Sequence, residues 1–296
     1  MNRKHQRGRR ALVTLAQNLG WYAAILLAAG LLAATLVRVA PGFGADERLL
    51  DVRLSNRSIE ALRQAPSEGS NIAVYYWHYL GRLSRGDLGT SISLGRPVKE
   101  LLKERWAVSV RSASFGLALA WIGALGLVLW LEMLRRPFYD RAASVVAGAL
   151  LCVPAAVLAL GCLYLAGSPA LALSVILFPR IFRYVRNAAG QACSATHVLA
   201  AQGFGESRLR ILALHVAVPA LPELLAVAGV SVSMAVGAVI PVEALCDSPG
   251  VGQLVWQAAL ARDLPVIVNV TLLIAALTAA ANLAADRGRA LGEAWA

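Results

Sequence analysis

The stretch AASVVAGALLCVPAAVLALGCLYLAGSPALALSVILFP, residues 142–179, carries no charged side chain in 38 positions. As one helix it would extend about 57 Å, because an α-helix rises 1.5 Å per residue. The hydrocarbon core of a bilayer is only about 30 Å thick. The run must therefore fold back, and Gly167, Ser168 and Pro169 supply the turn residues. This stretch predicts two successive membrane spans.

The whole chain has the composition of a membrane protein. Of its 296 residues, 58% are hydrophobic and 15% are charged, and its mean hydropathy is +0.62. A typical soluble domain carries about 25% charged residues, so a soluble globule of this size would lack polar side chains to cover its surface. The composition excludes a soluble domain, a disordered chain and a disulfide-stapled secreted module.

Four further uncharged runs, residues 11–37, 112–131, 224–242 and 264–285, bring the predicted number of spans to six. We predict an all-α polytopic membrane protein with six transmembrane helices. The predicted organisation is a cytoplasmic N-terminus (1–10), a first helix (11–38), an outer, periplasmic segment (39–105), a core (106–290) and a cytoplasmic tail (291–296). Within the core we expect helices at about 110–132, 142–166, 170–188, 211–243 and 264–285, and an inner segment at 189–210.

The basic residues orient these helices. Short loops rich in Lys and Arg stay in the cytoplasm, and the basic clusters share one side if both termini are cytoplasmic. The first 37 residues resemble a signal peptide, but their apolar stretch exceeds an h-region of about 7–15 residues, so we predict an uncleaved span. This topology explains the net charge of +11 better than a nucleic-acid interface, which would need a basic face on a folded domain.

Two predicted outer segments carry turn signals. Residues 72–83 place apolar side chains at helical spacing, typical of an amphipathic helix on the membrane interface, and Gly86, Asp87 and Gly89 follow it as a turn. The second segment runs from Glu243 through Pro249-Gly250-Val251-Gly252 to Arg262-Asp263. If Gly250 and Gly252 have positive φ, a β-branched side chain cannot replace them.

The inner segment predicts a contact with another protein. Arg183 and Arg186 lie three residues apart, where a helix leaves the membrane. Ala201 and Gly205 are small enough for another backbone to approach closely, and Phe204 offers an apolar anchor for a partner groove. The pattern indicates a short amphipathic helix broken by glycines.

Together, these segments resemble the inner-membrane permease subunits of binding-protein-dependent ABC importers, and among them the B-type permease of the dipeptide/oligopeptide/nickel family. The family motifs are matched in order along the chain by Pro41-Gly42, Gly86-Asp87-Leu88-Gly89-Thr90-Ser91 with Pro97-Val98, Arg183 and Arg186 with Ala201 and Gly205, Glu243 with Pro249-Gly250-Val251-Gly252, and Arg262-Asp263-Leu264-Pro265-Val266.

The resemblance implies a type I ABC importer permease fold and multi-pass location in a bacterial inner membrane. It implies four partners: a second permease, cytoplasmic ATPase subunits, an extracytoplasmic binding protein and membrane lipid. The expected cargo is a small, peptide-like solute, with nickel complexes and oligosaccharides left open. The residues implied for ATPase coupling are Arg183, Arg186, Ala201, Phe204 and Gly205. Those implied for the binding-protein side are Asp87, Gly89, Glu243, Pro249, Gly250, Gly252, Arg262 and Asp263.

The sequence contains no motif for nucleotide binding, metal binding or nucleophilic catalysis. Without a G-x-x-x-x-G-K-[ST] loop, any ATP would be hydrolysed by a partner chain. The four histidines and four cysteines show no metal-ligand spacing, and no nucleophile elbow is present. We therefore predict no enzyme activity, cofactor, metal or nucleic acid. The alternative is a secondary transporter or channel that is not coupled to ATP, which would carry paired ionisable residues in its spans.

For the polar residues in and near the spans we expect structural roles and not contacts with a ligand. We expect Glu223 to act at an interface, and Arg111 and Glu132 to anchor the two ends of the second span. Asn269 and Asn282 are expected to form hydrogen bonds between helices.

Overall fold

The computed structural model describes residues 20–21, 24–36, 72–83 and 85–295, and these are almost entirely helical. The helices are α1 (Ala24–Leu36), α2 (Ile72–Leu83), α3 (Val98–Leu134), α4 (Pro137–Cys152), α5 (Ala155–Ala166), α6 (Pro169–Cys193), α7 (Thr196–Gly203), α8 (Val218–Leu245), α9 (Val251–Leu260) and α10 (Leu264–Trp295). One helical turn, Arg208–Arg210, and a π-helix, Ile211–Ala217, connect α7 to α8. The all-α prediction is confirmed. The predicted N-terminus (1–10) and the Pro41-Gly42 motif lie outside the described residues.

Three helices in the described part of the chain are long and apolar enough to cross a membrane: Val98–Leu134, Arg208–Leu245 and Leu264–Gly288. The pair α4 and α5 passes the same test only when its two helices are taken together. Helix α6 carries Arg180, Arg183 and Arg186 from its middle onward, which lowers its hydropathy. The count of six spans remains a prediction.

The span predicted at 142–166 is divided into α4 and α5, which are bent by 102°. The break falls at Val153, which is extended and precedes Pro154. A residue before proline is driven from the helical region, and proline has no N–H to continue the ladder. The turn predicted at 167–169 is present, with Gly167 at φ 61° capping α5 and Pro169 opening α6.

The chain divides into two compact units. In the unit formed by Arg105–Leu254 and Leu277–Ala296, α6 buries its central face against small residues of α3. A Cβ on Gly116 would lie 2.6 Å from the Cβ of Leu173, and one on Gly229 would lie 2.3 Å from that of Ala285. Small residues thus allow the close helix packing that lipid-embedded helices use. In the same unit, the hydroxyl of Ser233 donates to Asn282 at 2.9 Å, which confirms the predicted helix–helix bond.

The other unit, formed by Met1–Glu104 and Val255–Ala276, contains a smaller cluster. Ala34 of α1 and Tyr79 of α2 pack in it with Leu264 and Val268 of α10. The hydroxyl of Tyr79 donates to the amide oxygen of Asn269 at 2.7 Å. Asn269 therefore forms the predicted hydrogen bond between helices.

Candidate functional site

A buried carboxylate organises the turn between α8 and α9. Glu243 is fully buried and accepts hydrogen bonds from the hydroxyls of Ser109 and Ser112, at 2.9 and 3.1 Å. The N–H of Gly252 also donates to it at 2.8 Å. We name Ser109, Ser112, Glu243, Gly250 and Gly252 together the Glu243 cluster. Because Glu243 lies against the first turn of α9, it satisfies an amide that has no partner within that helix.

The glycines of this turn are required for a reason other than backbone conformation. Neither Gly250 nor Gly252 has positive φ, so the conformational reason considered from the sequence is wrong. A Cβ on Gly250 would lie 2.1 Å from a carboxylate oxygen of Glu243, and one on Gly252 would lie 2.7 Å from the Cα of Ile240. The motif keeps these positions free of side chains so that a carboxylate and a backbone can approach. Pro249 is exposed beside them.

A second buried carboxylate, Asp263, lies at the start of α10. One oxygen accepts hydrogen bonds from the hydroxyls of Ser91 and Ser93, at 2.5 and 2.7 Å, and from the N–H of Ser93 at 3.0 Å. The side-chain amide of Asn269 donates to the carbonyl of Leu88 at 2.8 Å. Two motifs about 170 residues apart in sequence thus meet at Asp263. We name Ser91, Ser93 and Asp263 the Asp263 cluster.

The residue before Asp263 caps helix α9. Arg262 is exposed and has φ 54°. Asp263 N–H donates to Ala258 at 2.8 Å and Arg262 N–H donates to Ala259 at 3.3 Å, the paired bonds of a Schellman cap. Arg262 therefore occupies the left-handed position that usually belongs to glycine.

The turn after α2 is also as predicted. Gly86 and Gly89 have φ 76° and 71°, and the N–H of Gly89 donates to the carboxylate of Asp87 at 2.8 Å. Further along, Arg96 forms a two-point hydrogen bond with Glu104, at 2.5 and 3.2 Å. This bond raises the pKa of the Arg96 guanidinium above its usual value.

The segment 189–210 turns sharply after α7. Gly205 has φ 74°, the N–H of Glu206 donates to Ala201 at 3.2 Å, and that of Gly205 donates to Gln202 at 3.1 Å. These two bonds make a Schellman cap with glycine at its left-handed position. The side chain of Phe204, next to the cap, is 87% exposed. Ala201 is instead buried within this chain, beside Val198 and Ile211.

The two arginines predicted near this segment differ in surroundings. Arg183 is exposed, whereas Arg186 forms a two-point hydrogen bond with Asp140, with 2.6 Å from Nε to one carboxylate oxygen. Near the end of the segment, Arg208 donates to the backbone oxygen of Glu132 from Nε at 2.9 Å and to its carboxylate at 3.3 Å. Glu132, expected to be a membrane-edge anchor, is also an ion-pair partner.

Several partners of the site residues were not predicted from the sequence: Ser93, Ser109, Ser112, Asp140 and Arg208. Ser109 and Ser112 are three residues apart and so share a helix face, a weak signal that the serines elsewhere in the chain would have hidden. Within the described ranges, no three His, Cys, Asp or Glu side chains converge to hold a metal ion.

Comparisons with known proteins give consistent results. Residues 116–293 match the family described as binding-protein-dependent transport system inner membrane component. A putative peptide permease protein of Brucella suis biovar 1 is 26% identical over 292 residues, covering 88% of this chain and 92% of that protein. The nickel import system permease protein NikB of Staphylococcus aureus strain MRSA252 is 23% identical, covering 88% of this chain and 85% of that protein.

The solved structure of the MetNI methionine ABC transporter, in inward-facing conformations, has a similar fold. Its TM-score is 0.59 at 19% identity, over 65% of this chain and 96% of that chain. At this identity the likeness concerns the fold, and it agrees with the predicted type I ABC importer permease fold.

Proposed function

This chain belongs to the family of binding-protein-dependent transport system inner membrane components, and we propose that it serves as the B-type permease of an importer for a peptide-like solute. As a member of this family it is a multi-pass membrane permease of an ABC importer. The proposal adds four specific features: a second permease as its pair, ATPase subunits at segment 189–210, a binding protein at the opposite side, and both termini in the cytoplasm of a bacterial cell.

The observation that carries the coupling role is the capped turn after α7. The cap fixes the backbone of Phe204 next to Gly205. The Phe204 residue is 87% exposed. An exposed aromatic on a well-defined turn is the kind of anchor that fills a pocket on a partner. The buried Ala201 holds the helix on the body of the permease, so Phe204 and Gly205 are the residues proposed to meet the ATPase.

The test is assembly with the ATPase. Phe204→Ala removes the proposed anchor without a new side chain in the turn, and we expect about 5- to 150-fold weaker association, the effect of losing one interface anchor of about 1–3 kcal/mol. Phe138→Ala is the matched control, because the Phe138 side chain is 74% exposed on α4. Co-purification of Phe204→Ala with its ATPase at the yield of Phe138→Ala would refute the coupling assignment.

Gly205 gives an independent arm of the same test. At φ 74°, Asn is the side chain that best tolerates the left-handed region, whereas Leu is strained there and also enlarges the surface. Open space surrounds the position within this chain. We therefore expect Gly205→Asn to keep most of the association and Gly205→Leu to lose it, with equal amounts of both variants in the membrane.

The residues proposed for the binding-protein side are Asp87, Gly89, Glu243, Pro249, Gly250, Gly252, Arg262 and Asp263. The exposed ones, Asp87, Pro249 and Arg262, are proposed to meet the binding protein, and the buried carboxylates Glu243 and Asp263 to hold their turns. The charge placement that supports cytoplasmic termini also assigns these turns to the outer face. Labelling of single cysteines introduced at positions 249 and 204 tests the assignment in intact cells. An impermeant maleimide should react at 249, and reaction at 204 would reverse the topology.

The peptide-like cargo rests on the relatives, of which one is named for peptide and one for nickel. Uptake of labelled dipeptide and of ⁶³Ni²⁺ by vesicles containing the full importer separates these two. We expect peptide uptake that requires both ATP and the binding protein. Nickel uptake would replace the cargo assignment, and uptake that is independent of ATP would favour the alternative of a secondary transporter or channel.

A further inference from the structure

Two ion pairs bracket the segment 189–210, and both end on the same short connection between α3 and α4. Arg186 precedes the segment and binds Asp140, in the first turn of α4. Arg208, near the end of the segment, binds Glu132, in the last turn of α3. Glu132 and Asp140 are only eight residues apart in sequence, so arginines at the two ends of the segment hold both ends of one connection.

The geometry of each contact suits the transmission of a displacement. Arg186 presents a planar fork to both oxygens of Asp140, which fixes direction as well as distance. Arg208 donates to the backbone oxygen of Glu132, one of the last carbonyls of a helix, which lack partners within the helix itself. A pull on Arg208 therefore acts on the backbone of α3 and not only on a flexible side chain.

The three side chains Glu132, Asp140 and Arg186 also face one polar cleft of about 350 Å³. The residues that line the cleft are polar or glycine, whereas Leu131 of α3 and Ala147 of α4 belong to the apolar core cluster of the same unit. Ion pairs at the surface of such a cleft are only partly buried. They can break and re-form as the permease changes conformation, as ion pairs at moving interfaces do.

We propose that Arg186 and Arg208 are positioning residues that form a two-point clamp, through which movement of segment 189–210 is passed to α3 and α4 together. The inference rests on the proposed coupling function and adds to it the route by which ATPase motion enters the spans. Phe204 serves association with the ATPase, whereas the clamp serves the use of ATP for transport. Loss of the clamp therefore uncouples hydrolysis from uptake in an assembled complex.

The experiment uses the complete importer in proteoliposomes, with the partner permease, ATPase subunits and loaded binding protein. ATP hydrolysis and solute uptake are measured in the same vesicles. We expect Arg208→Ala and Asp140→Asn to raise the ATP hydrolysed per solute about 2- to 30-fold, the range of mutations that alter coupling between sites. Glu132→Gln should have a smaller effect, because the backbone oxygen that Arg208 binds remains.

Arg141→Ala is the matched control, because Arg141 is an exposed arginine next to Asp140 and its loss changes the charge equally. Exchange of the pair, Arg186→Asp with Asp140→Arg, should restore part of the coupling lost in each single variant. That rescue would not follow from a general defect in folding. Each variant is compared at equal amounts of assembled complex. If Arg208→Ala or the exchanged pair fails to fold, the conservative variants Asp140→Asn and Glu132→Gln take its place.

The outcomes separate this inference from the proposed function. If wild-type and variants never assemble with an ATPase, the proposed function fails. If Arg208→Ala and Asp140→Asn assemble and keep the wild-type ratio of ATP to solute, the clamp is refuted and the coupling role of Phe204 stands. A change in Arg141→Ala as large as that in Arg208→Ala would also refute the clamp, since surface charge alone would then explain the effect.

Discussion

The Glu243 cluster and the ion pairs of Arg186 and Arg208 use carboxylates in opposite ways. Glu243 is fully buried and is satisfied by two hydroxyls and a backbone N–H, with glycines making room for it. Asp140 and Glu132 are partly exposed and are paired with guanidinium groups. A buried carboxylate with short, directed donors keeps one geometry, because any rearrangement leaves polar groups without partners. A solvated ion pair is nearly neutral in energy and can be re-formed.

Carboxylates in sequence motifs can therefore stabilise a single conformation, as Glu243 does, or permit two, as Asp140 and Glu132 do. Buried hydrogen bonds to Glu243 hold the turn between α8 and α9 in one conformation. The ends of segment 189–210 are held by partly exposed ion pairs, which can break and re-form. A permease needs both, since alternating access requires rigid parts that move relative to one another.

The largest expected effect is that of Glu243→Ala. The hydroxyls of Ser109 and Ser112 and the N–H of Gly252 would each lose a buried acceptor, at about 1–3 kcal/mol for such a group. Three such losses, reduced because the serine hydroxyls can rotate to other acceptors, give an expected loss of unfolding free energy of about 4 kcal/mol. The midpoint of unfolding in mild detergent measures it. A loss as small as that of Glu100→Ala, at an exposed carboxylate on α3, would show that the buried Glu243 stabilises the fold no more than an exposed carboxylate does.

Gly250→Val should have the next largest effect. Its Cβ would overlap the carboxylate of Glu243, and overpacking of this kind costs about 1–3 kcal/mol. Gly237→Val on α8 is the control, because nothing lies within 4 Å of a Cβ built there. Both proteins are compared by unfolding midpoint and by uptake. Equal behaviour of the two variants would mean that Glu243 moves aside at no cost.

Arg262→Gly should stabilise the protein by about 1 kcal/mol. A side chain in the left-handed region is strained by roughly this amount or more, and glycine is not. Arg262→Ala keeps the backbone strain and removes the guanidinium. It therefore distinguishes the effect of the strain on stability from the effect of the charge. A gain in unfolding midpoint for glycine but not for alanine is the expected pair of results. A fall for both would instead give the guanidinium of Arg262 a stabilising contact.

The smallest expected effect on stability is that of Asp140→Asn. Both partners of this ion pair are more than a third exposed, so solvent screening leaves about 0.5 kcal/mol. The unfolding midpoint in detergent should therefore change little, even though coupling is expected to suffer. A loss as large as that of Glu243→Ala would place the ion pair in the same class as the buried cluster.

The all-helical fold, the apolar runs and the turns at Gly167 and Gly205 were predictable because composition and glycine positions act locally. The bend at Val153 was not predicted, although Pro154 was its cause, because the length of the apolar run favoured one span. The partners of Glu243 and Asp263 were beyond prediction. Ser109 is separated from Glu243 by more than 130 residues, and only the packing of helices brings two such positions together.

The π-helix at Ile211–Ala217 has a consequence for the register of the chain. Its hydrogen bonds join residues five apart instead of four, so its wide turn takes up an extra residue that in a regular α-helix would rotate the following residues by about 100°. Deleting one residue there would convert the stretch to α-helix and leave the helices on its two sides nearly in phase, whereas a deletion within α8 would rotate one side by about 100°. A relative that lacks one residue within 211–217 can therefore present the same helix faces on both sides of the gap.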